Sequence, residues 1–115
     1  MAKKKLDMEG SFLFNEETID EKVSPNKIGN YALGKKDDEG TFLVSYVGRS
    51  DSDLRDELKA RSGTHNLPRF KFSYAESKEE AFNKECRNYH DFDPPKNKTH
   101  PDSPDGMNLK CPVCG

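Results

Sequence analysis

Gly29-Asn30-Tyr31 and Tyr46-Val47-Gly48 stand at matching ends of two β-patterned runs. Ile28 to Leu33 reads as one strand. Thr41 to Val47, rich in β-branched and aromatic residues, reads as the other. Between them Gly34-Lys35-Lys36-Asp37-Asp38-Glu39-Gly40 is a polar loop bounded by glycines, so the two runs pair as a hairpin. That pairing sets Tyr31 and Tyr46 close together on a small sheet. Packing alone would account for two phenols. It would not account for the glycines beside them, since a glycine within a strand marks a close approach to the backbone. Two phenols beside an acid and a base suit phosphodiester cleavage.

Elements follow in order along the chain. Residues 1–26 are charged and weakly patterned, and read as an N-terminal arm. Within the arm Ser11-Phe12-Leu13-Phe14 reads as an edge strand or a small flap, and Ser24-Pro25-Asn26 is a turn. After Gly48, Ser52 or Asp53 is a helix N-cap. Leu54 and Leu58 share one face of that helix, which ends near Ser62-Gly63. Arg69 to Tyr74 alternates with period two and turns Phe70, Phe72 and Tyr74 to the core. Ser77-Lys78-Glu79-Glu80 is a capping box, starting a helix to about His90 that carries Ala81, Phe82, Glu85 and Tyr89 on one face. The expected fold is α+β, a small three-stranded antiparallel sheet flanked by helices. Residues 27–97 form its domain and residues 98–115 a tail on the last helix.

That sheet has little apolar material to work with. Hydrophobic residues are 31% and charged residues 35% of 115, a lean core for which a bound metal is a standard remedy. The ligands for one are present. Cys86 and His90 lie one helical turn apart, and Cys111-Pro-Val-Cys114 is a knuckle at the far end of a proline-rich stretch. Four N/S ligands in two pairs make a closed tetrahedral site, which is structural zinc. His100 is the rival fourth ligand. A redox role for the C-x-x-C would need a βαβ context that the pattern lacks. Three cysteines of this kind fit a reducing compartment, so a cytoplasmic location is expected. No apolar run approaches a membrane span, and the N-terminus has no signal-peptide core, so no membrane partner is expected. The net charge of −2 gives nucleic-acid binding no global support, and any basic surface must be local.

The stretch from Ile28 to Asn97 resembles the GIY-YIG nuclease domain family. The match runs through Gly29-Asn30-Tyr31, Tyr46-Val47-Gly48, Leu54-Arg55-Asp56-Glu57-Leu58 and the helix segment Glu80 to Glu85. The resemblance implies hydrolysis of DNA phosphodiesters with a single divalent ion, usually Mg2+, on Glu85. It implies that Tyr31 helps activate the attacking water, and that Tyr46 and an arginine hold the phosphate. The family's arginine falls on position 57, where this chain has Glu57. Arg61 lies only about 40° from Glu57 around the helix, whereas Arg55 lies about 160° away. Arg61 is the expected substitute and Arg55 the runner-up. His65 continues the same face as a proton carrier. Asn97 matches an asparagine that follows the glutamate helix and holds that segment. The expected function is therefore a metal-dependent endonuclease with catalytic Tyr31, Tyr46, Arg61, His65 and Glu85, acting on nucleic acid with a protein partner for specificity. The alternative is a zinc-stabilised nucleic-acid or protein interaction module without catalysis, which Glu57 favours because an acid there repels phosphate.

Overall fold

A computed structural model describes residues 6–62 and 67–114 of the chain. Among these the order is β1 (Glu9–Leu13), α1 (Glu16–Lys22), β2 (Gly29–Lys36), β3 (Phe42–Ser50), α2 (Leu54–Ser62), β4 (Arg69–Tyr74) and α3 (Lys78–Phe92). The fold is α+β, but the sheet has four strands, not three, in the order β1-β4-β2-β3. The extra strand comes from the arm. Ser11 to Leu13 belong to β1, which pairs antiparallel with β4, where Phe12 faces Phe70. A short aromatic segment covers an edge of β4 that would otherwise be open. The helix after it, α1, drives Ile19 into the core.

β2 is central, antiparallel to both β3 and β4. Its reach exceeds the sequence expectation, because Gly34 is not a loop residue. It sits at a bulge in the β2–β3 ladder, where a side chain would strike the Leu43 carbonyl. The loop is only the turn after Lys36, tied by the Asp37 carboxylate accepting from the amides of Glu39 and Thr41.

Alternation along β2 divides the core. Tyr31 and Leu33 join Phe70 and Phe72 under Ile19, Val23, Leu54 and Leu58, the face covered by α1 and α2. Ala32 and Val47 lie on the other face with Leu6, Tyr89 and Phe92. Asn30, fully buried, donates from its side-chain amide to the Ala81 carbonyl and fixes α3 on that face. Phe70 and Phe72 are buried as expected, but Tyr74 is exposed, its hydroxyl accepting from the Ser24 amide. The Ser77 hydroxyl caps α3 by accepting from the Glu80 amide, while Glu80 reaches back to the Glu76 amide. Asp53 accepts from the Asp56 amide at the start of α2.

Candidate active site and metal centre

Tyr31 and Gly48 are direct partners across β2 and β3. A side chain at position 48 would overlap the Tyr31 ring, so the glycine of the second motif makes room for the tyrosine of the first. Tyr46 stands beside it, ring centroids 6.1 Å apart. A cavity of about 150 Å³ opens here, lined by Tyr31, Tyr46, Gly48, Arg49, Asp51, Glu57, Arg61 and Glu85. Four of the five residues expected at a catalytic site therefore share one cleft: Tyr31 from β2, Tyr46 from β3, Arg61 from α2 and Glu85 from α3. The fifth, His65, lies outside the described residues. Arg55 is not in the cleft. It turns away to α1, pairing with the Asp20 carboxylate at 3.1 Å and donating to the Asp20 carbonyl.

One half of the cleft is a chain of contacts. The Tyr31 hydroxyl donates to Glu57 Oε2 at 2.9 Å. Arg61 Nε donates to the same oxygen at 3.0 Å, and its guanidinium lies over the Tyr46 ring. Glu57 thus does not stand as a bare acid opposing phosphate, because a guanidinium one turn on neutralises it. Burial, then the neighbouring Glu57 and Tyr46, push the Tyr31 phenol well above its ordinary value, so it stays protonated. Burial works against the charge on Arg61, but its phenol and carboxylate neighbours outweigh that and hold it charged.

Arg49 organises the other half. Alternation puts it on the α3 face, two residues beyond Val47 and opposite Asn30. It donates to Glu85 Oε1 at 2.5 Å and to Asp51 Oδ1 at 2.8 Å, with its guanidinium over the Phe82 ring. Glu85 is nearly buried, and burial raises its carboxyl although the Arg49 bond pulls the other way. The cleft thus wraps the end of edge strand β3 and takes side chains from both faces of the sheet. Arg49 and Asp51 were missed in the sequence because Gly48 onward reads as a turn. Extending the strand alternation by one step would have found Arg49.

A second cluster lies beyond α3. Ligand atoms of His90, His100, Cys111 and Cys114 all fall within 4.8 Å of one another. His100 Nε2 is 3.2 Å from His90 Nε2 and 3.4 Å from Cys114 Sγ. In a tetrahedral site with bonds of about 2.0–2.3 Å, ligand atoms stand about 3.3–3.8 Å apart, so the spacing and the N2S2 donor set suit zinc. The His100 Nδ1 lies 2.8 Å from the Pro101 carbonyl. A proton on that nitrogen leaves Nε2 as the ligand. His90 and His100 both stand in the converging group, where the sequence pattern puts Cys86 beside His90; Cys86 contributes none of those four atoms. Cys86 is buried with Phe82 against Cys111, and burial pushes its thiol up to about 12. Burial also opposes ionisation of Cys111, but the Cys114 and Val113 amides, with Cys86 and His100, bring it down to about 6. Glu85, next in sequence to Cys86, serves the other cleft.

The segment leading from α3 into the tail is also held by protein contacts. Asn97 accepts from the Val47 amide at 2.8 Å and donates to the Val47 carbonyl at 3.0 Å. Lys96 donates its amide to the Ser45 carbonyl. Tyr46 therefore lies between two residues that Lys96 and Asn97 grip. Comparison with protein-family models, with curated proteins and with solved structures finds no match.

Proposed function

We propose that this chain is a metal-dependent phosphodiester hydrolase of the GIY-YIG type, cutting DNA, with zinc as a structural staple at its C-terminal tail. The observation that carries this reading is the convergence of Tyr31, Tyr46, Arg61 and Glu85 from four separate elements on one small polar cleft. The donors in the cleft are phenol and carboxylate oxygens, the chemistry a hard divalent ion prefers. Glu85 would hold Mg2+, sharing its carboxylate with Arg49. When bound, the ion would lower the pKa of a water and neutralise charge on the phosphate. Arg61 supplies a planar guanidinium for phosphate oxygens, and Tyr46 keeps it in position. Tyr31, held protonated, offers a hydroxyl through which a water proton can pass.

A nicking assay on plasmid DNA with Mg2+ tests this. Wild type should cut, while Glu85→Ala and Tyr31→Phe should each lose at least about 100-fold in rate with unchanged folding. Absence of cutting by wild type on any DNA or RNA form would sink the hydrolase reading.

One observation favours the non-catalytic interaction module. The cleft's arginines are already paired, Arg49 with Asp51 and Glu85, and Arg61 with Glu57. On that reading nucleic acid or protein binds without being cut, and Tyr31→Phe leaves binding unchanged.

A further inference from the structure

Glu57 is the least expected group in the cleft and the one most directly joined to Tyr31. The phenol hydroxyl points its proton at Glu57 Oε2, 2.9 Å away. The ring itself is 1% exposed, packed under Leu54 and Leu58 and over Gly48, so it has little freedom to turn elsewhere. Arg61, one turn along the same helix, fixes the same oxygen from the other side. Around Glu57 stand Tyr31 from β2, Tyr46 and Arg49 from β3, Asp51 from the turn after it, Arg61 from its own helix and Glu85 from α3. The Tyr31 hydroxyl donates to Glu57 directly, and Arg61 stays charged.

We propose that Glu57 is the proton acceptor behind Tyr31: as water attacks phosphorus, its proton passes to the Tyr31 oxygen while the Tyr31 proton moves to Glu57. This rests on the hydrolase reading above. Water's oxygen forms the new P–O bond, and the P–O bond to the leaving alkoxide breaks. The alkoxide takes a proton from solvent, and Glu57 returns its proton to solvent, so one water is consumed and one alcohol and one phosphomonoester are formed. Burial supports the scheme by making a free phenolate costly, because a relay never leaves charge on Tyr31. Glu57 acts through Tyr31 and is a positioning residue.

The test is a double-mutant cycle in the Mg2+ nicking assay. Glu57→Gln keeps an oxygen to accept from Tyr31 but cannot take its proton. It should lose about 100-fold in kcat with KM within about threefold. In a Tyr31→Phe background the same substitution should change kcat less than about threefold. Glu57→Asp, which keeps a carboxylate, should recover at least tenfold over Glu57→Gln. A Glu57→Gln enzyme within threefold of wild type would overturn the inference and leave the hydrolase reading standing. So would an undiminished loss in the Tyr31→Phe background, or an Asp variant no better than Gln. A wild type that cuts nothing removes both.

Discussion

At the residue scale the cleft depends on what Gly48 leaves out. The two glycine–tyrosine motifs are legible in the sequence, and so is their meaning as a close approach. The structure names the approaching group, the Tyr31 ring itself. Gly48→Ala forces that ring off its place or moves β3, and an overpacked site of this kind costs about 1–3 kcal/mol. The denaturant midpoint should fall by that free energy divided by the slope, with the slope unchanged. A midpoint equal to wild type would mean that the ring is not seated over position 48. Charge at Glu57 leaves its own signature. Its carboxylate helps to raise the Tyr31 phenol. In Glu57→Gln, that phenol should therefore ionise at lower pH than in wild type, read as the difference in tyrosinate absorbance between Glu57→Gln and Glu57→Gln/Tyr31→Phe. No downward shift would mean that Glu57 and Tyr31 are not neighbours. What the sequence hid at this scale were pairings. Helical phase puts Arg55 off the face that turns to the cleft and Arg61 on it, and Arg61 does line the cleft while Arg55 does not. It cannot say that Asp20, on a different helix, waits for Arg55.

At the element scale, β3 is an edge strand that is not left open. Its partners in the ladder are on β2 alone, so Val47 has its amide and carbonyl turned outward. Both are taken by the Asn97 side chain, which acts as a two-bond surrogate strand. Asn97→Ala strands two polar groups on a residue with no exposed surface, at about 1–3 kcal/mol for each group that water cannot reach. Because Tyr46 precedes Val47, on the proposed hydrolase reading the nicking rate should fall with stability, by more than Asn97→Asp would cause. Thermal unfolding and the nicking rate measured together check this. If Asn97→Ala matches wild type in both, the clamp contributes nothing. The elements after residue 27 could be read from pattern, because alternation, caps and turns are local. The fourth strand could not be assigned from β1 alone. Five residues of mixed burial become a strand only when β4 offers an edge and Phe12 finds Phe70 and Phe72. Likewise, strand bounds failed at Gly34, where a bulge looks like the start of a loop.

At the scale of the whole molecule, the sparse apolar residues among those described fall into three clusters. The third, around Phe82, exists because the tail returns Cys111 and Leu109 to Cys86. The same Phe82 ring lies under the Arg49 guanidinium of the cleft, so the cysteine-histidine cluster and the cleft share a wall. A tail with this much proline and charge has no core of its own to bring it back. A metal bound only in the folded state would supply that energy, on the order of 10 kcal/mol for a structural zinc. Purified protein should carry one zinc per chain, and chelation should lower its midpoint of thermal unfolding by at least about 10 °C. The ligand set makes the prediction sharper. Cys111→Ser, His90→Ala and His100→Ala each remove one of the four converging atoms and should lower bound zinc and stability together. Cys86→Ala removes a buried thiol beside the centre but none of the four, and should keep one zinc per chain while losing some stability to a small cavity. If Cys86→Ala lost its zinc and His100→Ala kept it, the pairing of Cys86 and His90 with Cys111 and Cys114 would be the true ligand set. A zinc content well below one in the wild type would remove the centre altogether.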